Sequence, residues 1–415
     1  MESSVDSDRG PIGAPVQSPA LGCPARRQWF LIAAVQVMAL AVWFSATSVV
    51  PSLTVEWQMS SVAAVWLTAS VQIGFAIGAI LSALANLADR IRPQVLLGAS
   101  ALGAAGLTLA FAWFADGLVP AMILRFFTGV LLAGVYPVGM KLMASWSTTT
   151  NRGISFGLLI GALTLGSILP HLINGIETLP WKTVMTVAAC VAGAGGLVAL
   201  LFVRSGPALS SAHVEANPRY IWQMFKHRES RLANIGYFGH MWELYALWAW
   251  IGSFLVASVS ENQRPISSSA SSATIFVTMG IFGLVGCLAG GWLADKIGRP
   301  MSAGMALAIS GVCCLLSPFA FDAPWIVLVL FLAIWGAAVI ADSGVFSTML
   351  SESVDSRYVG TALTAQTAIG FLLTVVTIQI VPIIADAVGW RYAFLLLFVG
   401  PLMGVAAMRG LRSVF

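Results

Sequence analysis

The chain has 415 residues, of which 58% are hydrophobic and only 9% charged. A soluble globular protein carries about 25% charged residues, so that class is excluded. The net charge of +4 leaves no nucleic-acid footprint; it follows membrane topology, with a basic central loop able to touch anionic lipid headgroups.

Residues 1–27 are rich in Ser, Pro and Gly without apolar periodicity and read as a disordered cytoplasmic tail. Apolar segments of the length that crosses a bilayer then recur. They lie near 29–51, 62–85, 93–115, 118–146, 152–176, 181–203, 232–258, 271–294, 300–320, 324–349, 358–385 and 390–410. The longest polar connection, 204–231, is a cytoplasmic linker dividing the twelve into a bundle over 28–203 and a second over 232–412. The expected fold is an all-α membrane protein with twelve transmembrane helices in two six-helix bundles. With the N-terminus cytoplasmic, sixteen Lys and Arg fall inside and three outside (Lys182, Arg264 and Arg391). That asymmetry places both termini in the cytoplasm. A multi-pass protein of a bacterial inner membrane, working as a monomer within the lipid bilayer, is expected.

Cys190, Cys287, Cys313 and Cys314 lie in apolar runs and behave as small hydrophobes rather than a disulfide framework. Cys23 follows "ALG", but no signal-peptide core precedes it. There is no Gly-(four)-Gly-Lys-Ser/Thr loop and no His/Cys cluster, so neither an ATP-driven pump, a cofactor nor a metal is expected.

The halves repeat. "NLADRIRP", Asn86 to Pro93, ends the second span and "WLADKIGRP", Trp292 to Pro300, ends the eighth, with Asp89 and Asp295 in register. Arg152 with Gly153 and Arg357 with Gly360 each open a span after a cytoplasmic loop. Six-span repeats with both termini on one side imply parallel halves related by an axis along the membrane normal.

On these residues, and on "RFFTGVLLAGVYPVG" from Arg125 in the fourth span, the chain resembles the major facilitator superfamily over residues 28–412. The resemblance implies transport by alternating access of a small-molecule substrate, with protons as coupling ions and no enzymatic activity. It also implies a gating role for Asp89, Arg90, Arg92, Arg152, Asp295, Lys296, Arg299 and Arg357, the two aspartates pairing with Arg152, Arg357 or nearby cations. Within the superfamily the chain is broadly similar to the nitrate/nitrite and cyanate porters. Spans two and eight hold no interior arginine, the residue with which nitrate porters clamp their anion, and the Gly-Pro pair of the antiporter motif is absent from span five.

An ionisable residue at the bilayer centre costs about 2.5–3.5 kcal/mol on insertion scales and is usually partnered and functional. His240 and Glu243 share a face of the seventh span, and Glu243 lies roughly 16 Å in, near the midplane. They are read as a proton-coupling carboxylate and its tuning imidazole, able to trade a proton near neutral pH; a hydrogen-bonded packing device is the alternative. Arg125 must find a carboxylate, a carbonyl or water. The resemblance gives it proton coupling or anion contact; pinning span four to a neighbour is the other reading. Lys141 follows Pro137, which should kink span four, and pairs with Tyr136 as a cavity wall. Asp342 in the tenth span maps onto Tyr136 through the repeat and is expected to meet Lys141 across the halves. His171 reads as a satisfied surface histidine. Trp242, Trp248 and Trp250 crowd span seven with Tyr237 and Tyr245, as a pocket wall or as a lipid-facing or core stripe. Gln72 and Gln366 could reach the same cavity.

The resulting expectation is proton-coupled uptake of a small organic or inorganic anion. Proton-coupled efflux of a hydrophobic or cationic compound stays open, as does a non-transporting membrane receptor.

Overall fold

The computed structural model describes residues 23–85, 87–148, 151–176, 179–207, 225–354 and 359–412. Residues 1–22 of the expected tail, 208–224 of the linker, and Arg357 lie outside the described residues, as does the side chain of Asp89. No strand occurs among those described.

Among the described residues, eleven helices are long and apolar enough to cross a membrane: Val65–Ser82, Pro93–Phe114, Leu118–Ser145, Arg152–Ile173, Trp181–Phe202, Arg228–Glu261, Ser268–Ile297, Arg299–Asp322, Trp325–Ser353, Ala362–Val388 and Trp390–Leu411. They coincide with expected spans two to twelve and keep those ordinals below. Two boundaries move. Helix begins at Cys23, inside the expected tail, and the seventh span begins at Arg228, inside the expected linker.

The first expected span is not one helix. Helix Cys23–Leu40 stops, residues 41–44 run irregularly, and short helices follow at Ser45–Ser48 and Val50–Glu56. The sequence "VWFSATSVVPS" explains the break. Ser45 and Ser48 hydroxyls turn back onto the Val42 and Ser45 carbonyls, competing with the helical ladder, and Pro51 supplies no N–H. The fourth span divides likewise into Leu118–Leu132 and Tyr136–Ser145, with Pro137 opening the second piece as its ring dictates. The tenth divides at Asp342.

The halves meet chiefly through two helix pairs, span two against eleven and span five against eight. In the register of the internal repeat, spans two and eleven correspond to spans eight and five. Lipid supplies no hydrophobic drive between helices, and close approach comes from small residues. A Cβ on Gly291 would stand 2.5 Å from the Gly153 carbonyl, and one on Gly157 would stand 2.6 Å from the Cys287 carbonyl. Neither span can therefore carry a side chain where five crosses eight.

Candidate functional site

Each broken span frees backbone carbonyls in a region without bulk water, and each must be satisfied by protein. At the first break the work is done by Arg125. Its Nη1 donates to the Val42 carbonyl at 2.9 Å and reaches Ser45 Oγ at 3.5 Å, and its Nη2 donates to the Trp43 carbonyl. The side chain is buried. Of the three partners the sequence allowed it, Arg125 takes carbonyls, and it pins span four to span one. The service is returned at the break in span four, where Gln36 Nε2 of span one donates to the Val135 carbonyl at 3.0 Å. Gly139 makes room for it: a Cβ there would collide with the Gln36 amide.

In the second half the corresponding helices, seven and ten, carry titratable groups. Glu243 is buried, and its Oε1 accepts from Ser310 Oγ at 2.5 Å, Trp335 Nε1 at 2.7 Å and Cys314 Sγ at 3.2 Å. All are neutral donors. Ser310 and Cys314 stand one turn apart on span nine, so one helix face presents both. His240 does not bond Glu243; its Nδ1 lies 2.8 Å from Asp342 Oδ1 at the break in span ten. The contact is close without being a directed hydrogen bond, since Asp342 Oδ1 and His240 Nε2 have no hydrogen-bond partner among the described residues. The described ion pairs thus join Asp342 to His240, within one half, and not to Lys141 across the halves. Lys141 is half-buried on Tyr136–Ser145.

Between the halves lies a buried cluster of rings. Trp43, placed by the first break, is 5.0 Å from Phe75, 5.3 Å from Phe371 and 6.0 Å from Tyr245. Phe75 and Phe371 meet across the halves at 4.3 Å, Tyr245 and Phe371 at 4.8 Å, and Trp248 and Tyr245 at 5.6 Å. Tyr136 reaches the edge of this group at 6.5 Å from Phe75. Gln72 is fully buried one turn from Phe75, with both amide atoms unpartnered among the described residues.

Other expected residues are turned elsewhere. Trp242 Nε1 donates to the Leu396 carbonyl at 3.3 Å, so its ring packs on span twelve and not on the centre. Gln366 Nε2 donates to Asn234 Oδ1 at 2.9 Å and ties span eleven to span seven. His171 is buried rather than at the surface, with Nε2 unpartnered among the described residues. Sequence reading missed Trp43, Phe75, Phe371, Ser310, Cys314 and Trp335. Only the spacing of Ser310 and Cys314, and the Ser/Thr-Pro run after Trp43, could have pointed to any of them.

At the cytoplasmic end of the repeat motif, Asp295 lies over Gly153, within 2.5 Å of a Cβ placed there, and accepts from the Ile154 N–H. Its carboxylate meets the positive end of the span-five helix, with the Arg299 guanidinium as the nearby cation that acts on it. Arg299 pairs with Glu352. Arg90, Arg92 and Lys296 are exposed.

Two helical halves, packed through symmetry-related pairs and closed over a buried aromatic and polar centre, define a secondary transporter. The sequence model of the Major Facilitator Superfamily matches residues 32–378, and the chain belongs to that superfamily. It is 24% identical over 333 residues to a gallate transporter of Pseudomonas putida, across 70% of each chain. A niacin transporter of Acinetobacter baylyi is 23% identical over 288 residues, 60% of this chain and 63% of that protein. Among solved structures, the proton:xylose symporter XylE bound to 6-bromo-6-deoxy-D-glucose superposes with a TM-score of 0.72 at 14% identity, covering 94% of this chain and 96% of the other. That likeness shows the fold.

Proposed function

We propose that this transporter takes up a small organic anion together with protons, its halves rocking about the interface of spans two, five, eight and eleven. The observation that carries the reading is Glu243. A carboxylate in mid-membrane held by Ser310, Trp335 and Cys314 pairs with no fixed cation among the described residues, and a proton can balance it. His240, one turn from Glu243 on span seven, stands against Asp342 at the break in span ten, where alternating access would expose the two in turn. The anion is favoured by Arg125, a permanent cation beside the centre. The naming of the two relatives for gallate and niacin, and of the structural neighbour for proton symport, supports the same reading.

The test is uptake into proteoliposomes with an acidic exterior, using a mixed panel of radiolabelled carboxylates. Accumulation that collapses with a protonophore is expected. Accumulation indifferent to the protonophore overturns proton coupling, and substrate expulsion driven by the same gradient would make the protein an exporter.

A further inference from the structure

We infer that the aromatic cluster between the halves is a binding site for a planar aromatic or heteroaromatic carboxylate, an inference resting on the anion-uptake reading above. The site is built from Trp43, Phe75, Tyr245, Trp248, Phe371 and Gln72. Trp43 and Phe75 belong to the first half and Tyr245, Trp248 and Phe371 to the second, so a ligand among them is held by both halves. A site that reports its occupancy to both halves is what alternating access requires.

Two properties set the ligand class. The first is the ring surface. In this closed conformation the rings contact one another, Phe75 and Phe371 at 4.3 Å and Trp43 and Phe371 at 5.3 Å. A planar ring entering as the halves part replaces those contacts with stacking of the same kind. A saturated ring or an open chain does not.

The second is the set of unpaired polar atoms. Trp43 Nε1 and Trp248 Nε1 are fully buried without partners among the described residues, as are Arg125 Nε and both ends of the Gln72 amide. Buried donors are normally satisfied. Both indoles lie against Tyr245, at 6.0 and 5.6 Å, and an indole nitrogen can only donate. The two indole N–H groups and Arg125 Nε can only donate, so the ligand must bring acceptors to them, and a carboxylate brings two oxygens with room for several donors. An aromatic box can also hold a cation, but among the described residues the buried acids make no ring contact with this cluster: Glu243 bonds Ser310, Cys314 and Trp335, and Asp342 stands against His240.

The test is equilibrium binding to the purified full-length chain in detergent, by calorimetry at fixed pH. The probes are benzoate and nicotinate, cyclohexanecarboxylate (charge without the flat ring), benzamide (ring without charge) and phenyltrimethylammonium. Benzoate and nicotinate should bind at least about tenfold more tightly than the other three. Trp43→Phe and Trp248→Phe keep the ring and remove the N–H, and each should weaken benzoate about tenfold, the effect of losing one hydrogen bond to a charged group. Equal binding of benzoate and cyclohexanecarboxylate, preference for phenyltrimethylammonium, no aromatic-acid binding, or variants that bind as the parent does would each overturn the site. Should a variant fail to elute as a single species, the probe series on the parent chain decides alone. Because no gradient is present, the outcome is separable from coupling. Aromatic acids that bind but are not driven by protons sink the uptake reading and keep the site; proton-driven uptake of non-aromatic acids alone does the reverse.

Discussion

Arg125 on the fourth span donates to the Val42 carbonyl in the broken first span, 2.9 Å away, while Gln36 on the first span donates to the Val135 carbonyl in the broken fourth. Each helix closes the other's gap. In the second half the corresponding helices, seven and ten, are joined by His240 with Asp342 and by Trp335 with Glu243. The same joint is thus built twice, once from groups that keep their charge state and once from groups that can exchange protons. On the proton-coupled reading proposed above, that division puts the pH-dependent step of transport in the second half.

Arg125→Gln should remove the donors that hold the first break and cost about 1–3 kcal/mol for each carbonyl left unpaired. The expected result is a melting temperature several degrees lower and transport reduced at least about tenfold. Arg125→Lys keeps the charge without the planar fork and should recover stability only in part. A melting temperature unchanged in Arg125→Gln would show that water caps the break.

The His240–Asp342 contact leads to a double-mutant prediction. His240→Gln or Asp342→Asn alone leaves one buried polar or charged group facing a poor partner, whereas the double variant leaves none charged. Each single variant should therefore lose thermal stability, and the double variant should lose less than the sum of the two, no more than the poorer single. Additive losses would show that the two residues do not act together.

Arg299 and Glu352 stand partly in solvent, 24% and 40% exposed, so their pair contributes little to stability, about 0–1 kcal/mol. Glu352→Ala should shift the melting temperature by under a few degrees, and any effect should shrink with added salt. A large, salt-independent loss would assign the pair a structural role it does not have by this argument.

The fold was legible because its signals are cumulative: apolar runs, Lys and Arg asymmetry, and a repeat with two matching aspartates. The centre was legible only where a charge stood in an apolar run. Glu243, Arg125, His240 and Asp342 were found this way, but their partners were not. Helical spacing brings residues three and four apart together, which suggested His240 with Glu243; the actual partner of each lies on another helix, and periodicity within one span carries no information about that. Trp43 and Phe371 are aromatic residues among many, and nothing local separates a ring at the centre from one against lipid. The break in span one turns on hydroxyls and Pro51, whose effect needed Arg125 on another helix to stabilise it.

Glu243→Gln is the sharpest test of the division between the halves. A glutamine Oε1 can still accept from Ser310, Trp335 and Cys314, so the helix contacts and the aromatic centre should survive, and aromatic-acid binding should stay within about threefold of the parent. What is lost is the group that takes and gives a proton. Accumulation driven by an acidic exterior should disappear, while exchange of labelled for unlabelled substrate at equal pH on both sides should persist, because exchange needs the loaded carrier to reorient but no net proton release. Loss of both activities with binding intact would place Glu243 in the reorientation itself rather than in coupling. Retention of gradient-driven accumulation would move the proton site to His240 and Asp342.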